Sequence, residues 1–429
     1  MPGSFRLKKE WRLASLSILL GLLAPPVVWL LRYVVDQLFG FILALKNLPG
    51  NMGYYIILLP AALLFLLSSL ITTHLAPEAE GPGLHVVIAA YFRRGGRLRP
   101  RTAPSKFIST LLTVGTGAAN GLVGPLTLIG AGISSFMGRR MKIGSSEQRT
   151  LTLSGIASVI SVFLGAPLAA AIFAVELVYG NRILYRRFFY PLLSSITAFV
   201  FSLFLGINSP LFISGESPSV TPISALLILL ASIIVVAVNI LYIHLYQKIH
   251  NIFNELHRRV KEAWLPPFMG SLAAIILLLP LYPTLIKINC VGGGRLSVDA
   301  LPGAPTLTLL LVALLIMFST SLLSGSGGSG GLFMPVFTVG AILGYALGEL
   351  LHPGAGGSFI AAGISASLST TLNVPLAAAI ISMELLGEGA AFPAAVGSLA
   401  GYLLARRFII YHEIRWEELK EESSQRGPG

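Results

Sequence analysis

From Phe107 to Gly138 the chain carries no formal charge, yet the middle of that run reads Gly121-Leu122-Val123-Gly124-Pro125. Two glycines and a proline so close together interrupt a membrane helix. Lipid offers the freed amides no partner, so such backbone has to be buried in protein or line a wet cavity. A second run, Ala300–Gly348, is also uncharged and is broken by Ser324-Gly325-Ser326-Gly327-Gly328-Ser329-Gly330-Gly331. As one helix it would reach about 70 Å, more than twice the hydrocarbon core of a bilayer. The chain therefore has to fold into broken, tilted and partly re-entrant helices.

Further uncharged runs recur at Leu13–Leu31, Gly53–Thr73, Phe188–Gly215, Ser217–Gln247, Trp264–Ile286 and Gly389–Ala405. Only 11% of the 429 residues are charged, against about a quarter in soluble domains. An all-α, multi-pass membrane protein embedded in a lipid bilayer is the reading. The first run is too long for a signal peptide and lacks a small-residue cleavage site before Arg32, so it is expected to be a retained helix. The net charge of +12 is concentrated in three patches: Arg6, Lys8, Lys9 and Arg12; Arg93 to Lys106; and Lys248 to Lys261. Because they flank membrane spans, they are read as cytoplasmic topology signals and not as nucleic-acid contacts. A single cysteine, Cys290, excludes an internal disulfide or a thiolate metal cluster. No cofactor is expected.

The chain repeats itself. Residues 154–177 read SGIASVISVFLGAPLAAAIFAVEL and residues 362–385 read AGISASLSTTLNVPLAAAIISMEL. A Gly/Pro break precedes each, GLVGP in the first half and GGLFMP in the second. Pro167 and Pro375 lie 208 residues apart, and Pro125 and Pro335 lie 210 apart. Expected boundaries are a cytoplasmic segment 1–12, membrane halves 13–210 and 211–411, and a cytoplasmic tail 412–429. Matching interrupted segments in two halves point to a binding site near the bilayer midplane. The offsets alone are compatible with parallel or inverted halves.

A helix that starts inside the membrane presents unpaired N–H groups and a partial positive charge. Glycine lets backbone approach a ligand, and proline in the first turn sacrifices no needed hydrogen bond. Two such starts facing one point make an anion site without a fixed cation. The alternative use of these glycines is close helix packing.

In order and spacing these motifs resemble the CLC chloride channels and anion/proton exchangers. That family carries G-S-G-I-P, then G-[KR]-E-G-P, then G-x-F-x-P, then a late tyrosine. Here the matching stretches are Gly81-Pro82-Gly83-Leu84-His85, Gly121 to Pro125, Gly331-Leu332-Phe333-Met334-Pro335, and Tyr411. The resemblance covers almost the whole chain. It implies a homodimer of broken-helix subunits with inverted repeats, each with its own anion path, both termini cytoplasmic, in what is expected to be a prokaryotic plasma membrane. It places Gly81, Pro82, Gly83, the amides of Leu122, Val123 and Gly124, those of Leu332 and Phe333, and the Tyr411 hydroxyl along that path.

Three departures bear on mechanism. The family's gating glutamate is Val123 here, which has no charge and no proton to carry. The family's inner proton-relay glutamate aligns with Leu177, while Glu176 aligns with a structural glutamate whose counterpart in the other half is Glu384. A one-residue slip would make Glu176 a proton site, so it is kept as a candidate. The serine that donates to the central anion is Pro82, which offers neither hydroxyl nor N–H. In the family, proline there goes with nitrate preference. His85 replaces a proline and adds a titratable group or simply a polar loop residue.

The expected function is passive, proton-uncoupled transport of an inorganic anion, chloride and possibly nitrate. The alternatives are a coupled exchanger using Glu176 or Glu78, and a non-conducting homologue in which Val123 plugs the path. An enzyme is not expected. The Ser-Gly stretch would need a base within reach, and His74, His85, His244 and His352 stand at no catalytic spacing. The 18-residue tail after Tyr411 is too short to fold alone, so regulation through an appended nucleotide-binding domain is not expected.

Overall fold

The computed structural model describes residues 2–45, 53–179, 185–207, 221–294, 296–354, 356–408 and 410. The first half contains α1 (Pro2–Ala44), α2 (Leu58–His74), α3 (Leu84–Arg93), α4 (Thr102–Val114), α5 (Val123–Arg140), α6 (Ser145–Leu164), α7 (Pro167–Tyr179) and α8 (Tyr185–Phe204). The second contains α9 (Pro222–Arg259), α10 (Leu265–Leu278), α11 (Tyr282–Lys287), α12 (Thr306–Gly325), α13 (Phe333–Leu351), α14 (Gly356–Leu372), α15 (Pro375–Leu386) and α16 (Ala391–Ala405). Among the described residues, seven helical stretches are long and apolar enough to cross a bilayer. The expected boundary between the halves, near residue 210, falls outside the described residues.

Two helices are much longer than a bilayer needs. The apolar part of α1, Glu10–Ala44, has 35 residues and α9 has 38, where about 20 suffice. Excess length is taken up by tilt or by extension beyond the membrane. By contrast α7 and α15 have only 13 and 12 residues, too few to span alone. These are the broken elements that the sequence requires.

The core lies along α6 and α14, which are buried on all sides through most of their length. Their neighbours correspond: α6 packs against α5, α7, α8 and α1, and α14 against α13, α15, α16 and α9. At Gly130 and Gly155 the α5–α6 backbones touch, so a methyl on either would collide with the other's carbonyl. Gly340 and Gly363 do the same for α13 and α14. Close approach through small residues is how helices gain contact in lipid, where apolar burial itself offers little.

The repeats are inverted, on two grounds. First, Glu176, near the end of α7, accepts from the Leu376 and Ala377 amides at the start of α15, at 3.1 and 2.7 Å. Glu384, near the end of α15, accepts from Leu168 and Ala169 at the start of α7, at 3.2 and 2.8 Å. Each short helix caps the other, so they run antiparallel. Second, α1 begins at a basic patch while its counterpart α9 ends at one. Arg12 pairs with Glu147 at the start of α6 at 2.8 Å, and Arg149 donates to the Tyr91 carbonyl at 3.0 Å. The start of α1, the end of α3 and the start of α6 thus share one face, called the basic side below.

Candidate anion site

The two Gly/Pro breaks meet. Gly121 N–H donates to the Gly331 carbonyl at 2.9 Å, and Gly331 N–H returns the bond to Gly121 at 2.8 Å. This isolated antiparallel bridge joins matching positions of the two halves. From it α5 and α13 set off at Val123 and Phe333 with nearly identical entries. Leu122 has φ −90° and ψ −18°, Leu332 has φ −89° and ψ −14°, and neither start has a side-chain cap. First-turn amides of an α-helix have no acceptor within the helix. Here they gather at one place.

A third helix start joins them. α3 begins after Gly83, whose φ of +88° suits glycine and few other residues. A methyl on Gly124 would collide with the Pro82 carbonyl and sit 3.0 Å from Gly331 Cα. Pro82, Gly124 and Gly331 are therefore mutual neighbours, and the three motif segments converge. Leu122, Val123, Leu332 and Phe333 are all buried there. Phe333 meets Phe173 of α7 edge-to-face at 5.5 Å. The side chain at position 123 is buried and carries only methyl groups. Tyr411 lies outside the described residues, directly after Ile410, which lines the cavity described next.

Hydroxyl groups hold the break before α13. Ser329 Oγ bonds with the Ser109 and Thr110 hydroxyls of α4 at 2.9 and 3.0 Å. Asn120 Nδ2 donates to Ser324 Oγ at 2.7 Å, and Ser324 Oγ donates to the Gly330 carbonyl at 2.9 Å. Ser326 Oγ donates to the Leu323 carbonyl. The serines of this stretch satisfy backbone exposed by the break, which is the demand that low dielectric places on irregular chain.

A cavity of about 530 Å³ opens toward the basic side and reaches Gly81, Pro82 and Ser324 to Gly327. His85, His250, His257 and Arg407 line it, and Glu80 is the one carboxylate among its lining residues. Glu80 Oε1 is buried with no hydrogen-bond partner among the described residues. Burial pushes the Glu80 carboxyl up to about 7, against the opposing charge of Lys106. Lys106, fully buried, donates to the Ala79 carbonyl at 3.0 Å and the Gly81 carbonyl at 2.5 Å. It was grouped by sequence with the basic topology patch; the structure instead puts it in the interior.

The two expected proton-site candidates are both engaged. Glu176 spends its two oxygens on the α15 amides. Glu78 pairs with Arg94 at 2.5 Å and accepts from Thr102 at 2.9 Å. Burial raises the Glu78 carboxyl, but bonds from Arg94 and Thr102 and the charges of Arg94 and Arg99 outweigh it and hold the group low. The sequence reading passed over Glu80, an acid standing next to a Gly/Pro break.

The family described as voltage gated chloride channel matches residues 64–406. An H+/Cl− exchange transporter, ClcA, of Citrobacter koseri is 29% identical over 349 residues, covering 76% of this chain and 70% of that protein. An uncharacterized protein of Methanocaldococcus jannaschii is 26% identical over 342 residues, covering 79% and 83%. Among solved structures, a slow cyanobacterial Cl−/H+ antiporter superposes with a TM-score of 0.82 at 20% identity, over 96% of this chain and 99% of that one. A CLC-type fluoride/proton antiporter gives 0.78 at 21% identity, over 94% and 97%. With its motif segments converging as described and the family match running from α2 to the end of α16, the chain belongs to the voltage-gated chloride channel, or CLC, family.

Proposed function

We propose that this protein carries a small inorganic anion across a bilayer passively, without moving protons in exchange. The observation that carries the reading is the meeting of two uncapped helix starts at the Gly121–Gly331 bridge, with valine at position 123. The amides of Val123, Gly124 and Phe333 supply the attraction. Backbone donors in a site of low dielectric hold an anion without a fixed cation. Pro82 takes a hydroxyl away from the central position, so a strongly hydrated anion loses a donor there. Chloride is the primary substrate, with nitrate tolerated. The protein works as a homodimer with the basic side cytoplasmic.

Coupled exchange requires a group that trades a proton for an anion. The two positions where the family keeps such groups read Val123 and Leu177. The second reading, proton-coupled exchange, is favoured by the activity of relatives such as the Citrobacter koseri transporter. Efflux of chloride, nitrate and fluoride from proteoliposomes, with external pH recorded, separates the two. Passive transport gives chloride and nitrate efflux with no linked proton flow. Uphill proton uptake driven by an anion gradient would establish exchange instead.

A further inference from the structure

Glu80 is built into an awkward place. Lys106 grips the carbonyls of Ala79 and Gly81, the residues on either side of it. No ion pair forms between Glu80 and Lys106 among the described residues, although each feels the other's charge. Gly81 N–H is tied to the Gly327 carbonyl at 2.9 Å, which fixes the segment against the end of α12. Glu80 thus lines the cavity, and its Oε1 is buried against the wall with no hydrogen-bond partner among the described residues. A methyl on Gly327 would lie 3.5 Å from it, so it stands where the cavity wall meets the Ser-Gly break.

We infer that Glu80 is a proton-operated valve for anions at the basic-side mouth, closed when ionised and open when protonated. The inference rests on the transport reading above. Ionised, the carboxylate repels an anion entering the cavity, and burial, which pushes the Lys106 ammonium down to about 7, leaves little positive charge to offset it there. Protonated, it leaves the Lys106 charge uncompensated beside Gly81, and that charge draws the anion inward. Charges act strongly here because the walls are protein and not water. Protons bind and leave at Glu80 without being carried across, so the valve is consistent with uncoupled flux.

The other titratable groups around this cavity come from several elements. Glu78, on the same segment, is turned away to Arg94 and Arg99. α3 contributes His85, α4 contributes Lys106, α9 contributes Tyr246, His250 and His257, and Arg407 follows α16. His250 is tied by Nδ1 to the Gly325 carbonyl at 3.0 Å. The histidines are the same in wild type and in Glu80→Gln, so the test reads the ratio of the two rates at each pH.

The experiment compares wild type with Glu80→Gln in proteoliposomes at equal pH on both sides. At about pH 8, where ordinary histidines are neutral, Glu80→Gln should pass chloride roughly 5-fold faster than wild type, by removal of one facing charge. At about pH 5.5 the two rates should converge, because burial pushes wild-type Glu80 up to about 7 and protonates it there. Equal rates at both pH values, or a ratio that does not change with pH, would overturn the valve. Bromide affinity of the detergent-solubilised protein, measured by calorimetry, separates failure of the valve from failure of the transport reading. If neither protein conducts, transport is refuted, and the charge effect still requires tighter bromide binding by Glu80→Gln at about pH 8. Equal bromide affinities there would end the proposal.

Discussion

At position 123 a valine stands with its backbone amide at the start of α5 and its side chain fully buried. A carboxylate in its place would compete with the anion for the same first-turn amides, since acceptors are favoured at helix N-termini. Val123→Glu, made in the Glu80→Gln background so that only one acid responds, should cut chloride flux at neutral pH by about tenfold, the equivalent of 1.4 kcal/mol. Flux should recover as the pH is lowered, because protonation removes the competitor. A flat pH profile in that variant would mean that position 123 does not face the path. Gly124 makes the complementary point. A methyl there collides with the Pro82 carbonyl, and overpacking of this kind costs about 1–3 kcal/mol. Gly124→Ala should lower the thermal unfolding midpoint in detergent and reduce flux together, whereas alanine at exposed Gly40, where nothing lies nearby, should change neither. The glycines and proline of this motif were legible as a helix start in the sequence. Glu80 was not, because its meaning comes from the cavity around it, and that cavity is assembled from α3, α9, α12 and the segment after α16.

At the scale of the elements, the short helices α7 and α15 are held by reciprocal carboxylates. Glu176 and Glu384 occupy matching places in the repeat, and that match already suggested a shared structural role. That each caps the other's helix was not legible in the sequence, since the bonds span 200 residues or more. Two orphan amides lose their acceptor when either acid is removed, at about 1–3 kcal/mol for each buried group left unpaired. Glu176→Ala, whose amide partners are the more buried, should therefore lower the unfolding midpoint further than Glu384→Ala, with glutamine recovering part of the loss through its carbonyl oxygen. A Glu176→Gln protein with wild-type stability but an altered pH profile of flux would reverse this assignment and make Glu176 a proton site. The Ser-Gly stretch before α13 is a second case of partial legibility. Its glycines announced a break, while the roles of Ser324 and Ser329 depend on Asn120 and on α4, which only the tertiary structure brings near.

For the whole molecule, the repeat offsets and the uncharged runs were enough to require two related halves of broken membrane helices. Inversion was not readable from offsets, which are blind to direction. It follows once α7 and α15 are seen to be antiparallel and the Gly/Pro breaks are seen to pair across the pseudo-twofold at Gly121 and Gly331. That pairing is what brings three helix starts to one place, and a polar cavity reaches Pro82 beside them. Whether these starts hold an anion by their amides is answered by anomalous diffraction from crystals grown in bromide. A bromide peak is expected within hydrogen-bonding distance of the Gly124 and Phe333 amides. Lipid density in that position, or bromide ordered only at the surface arginines, would contradict it.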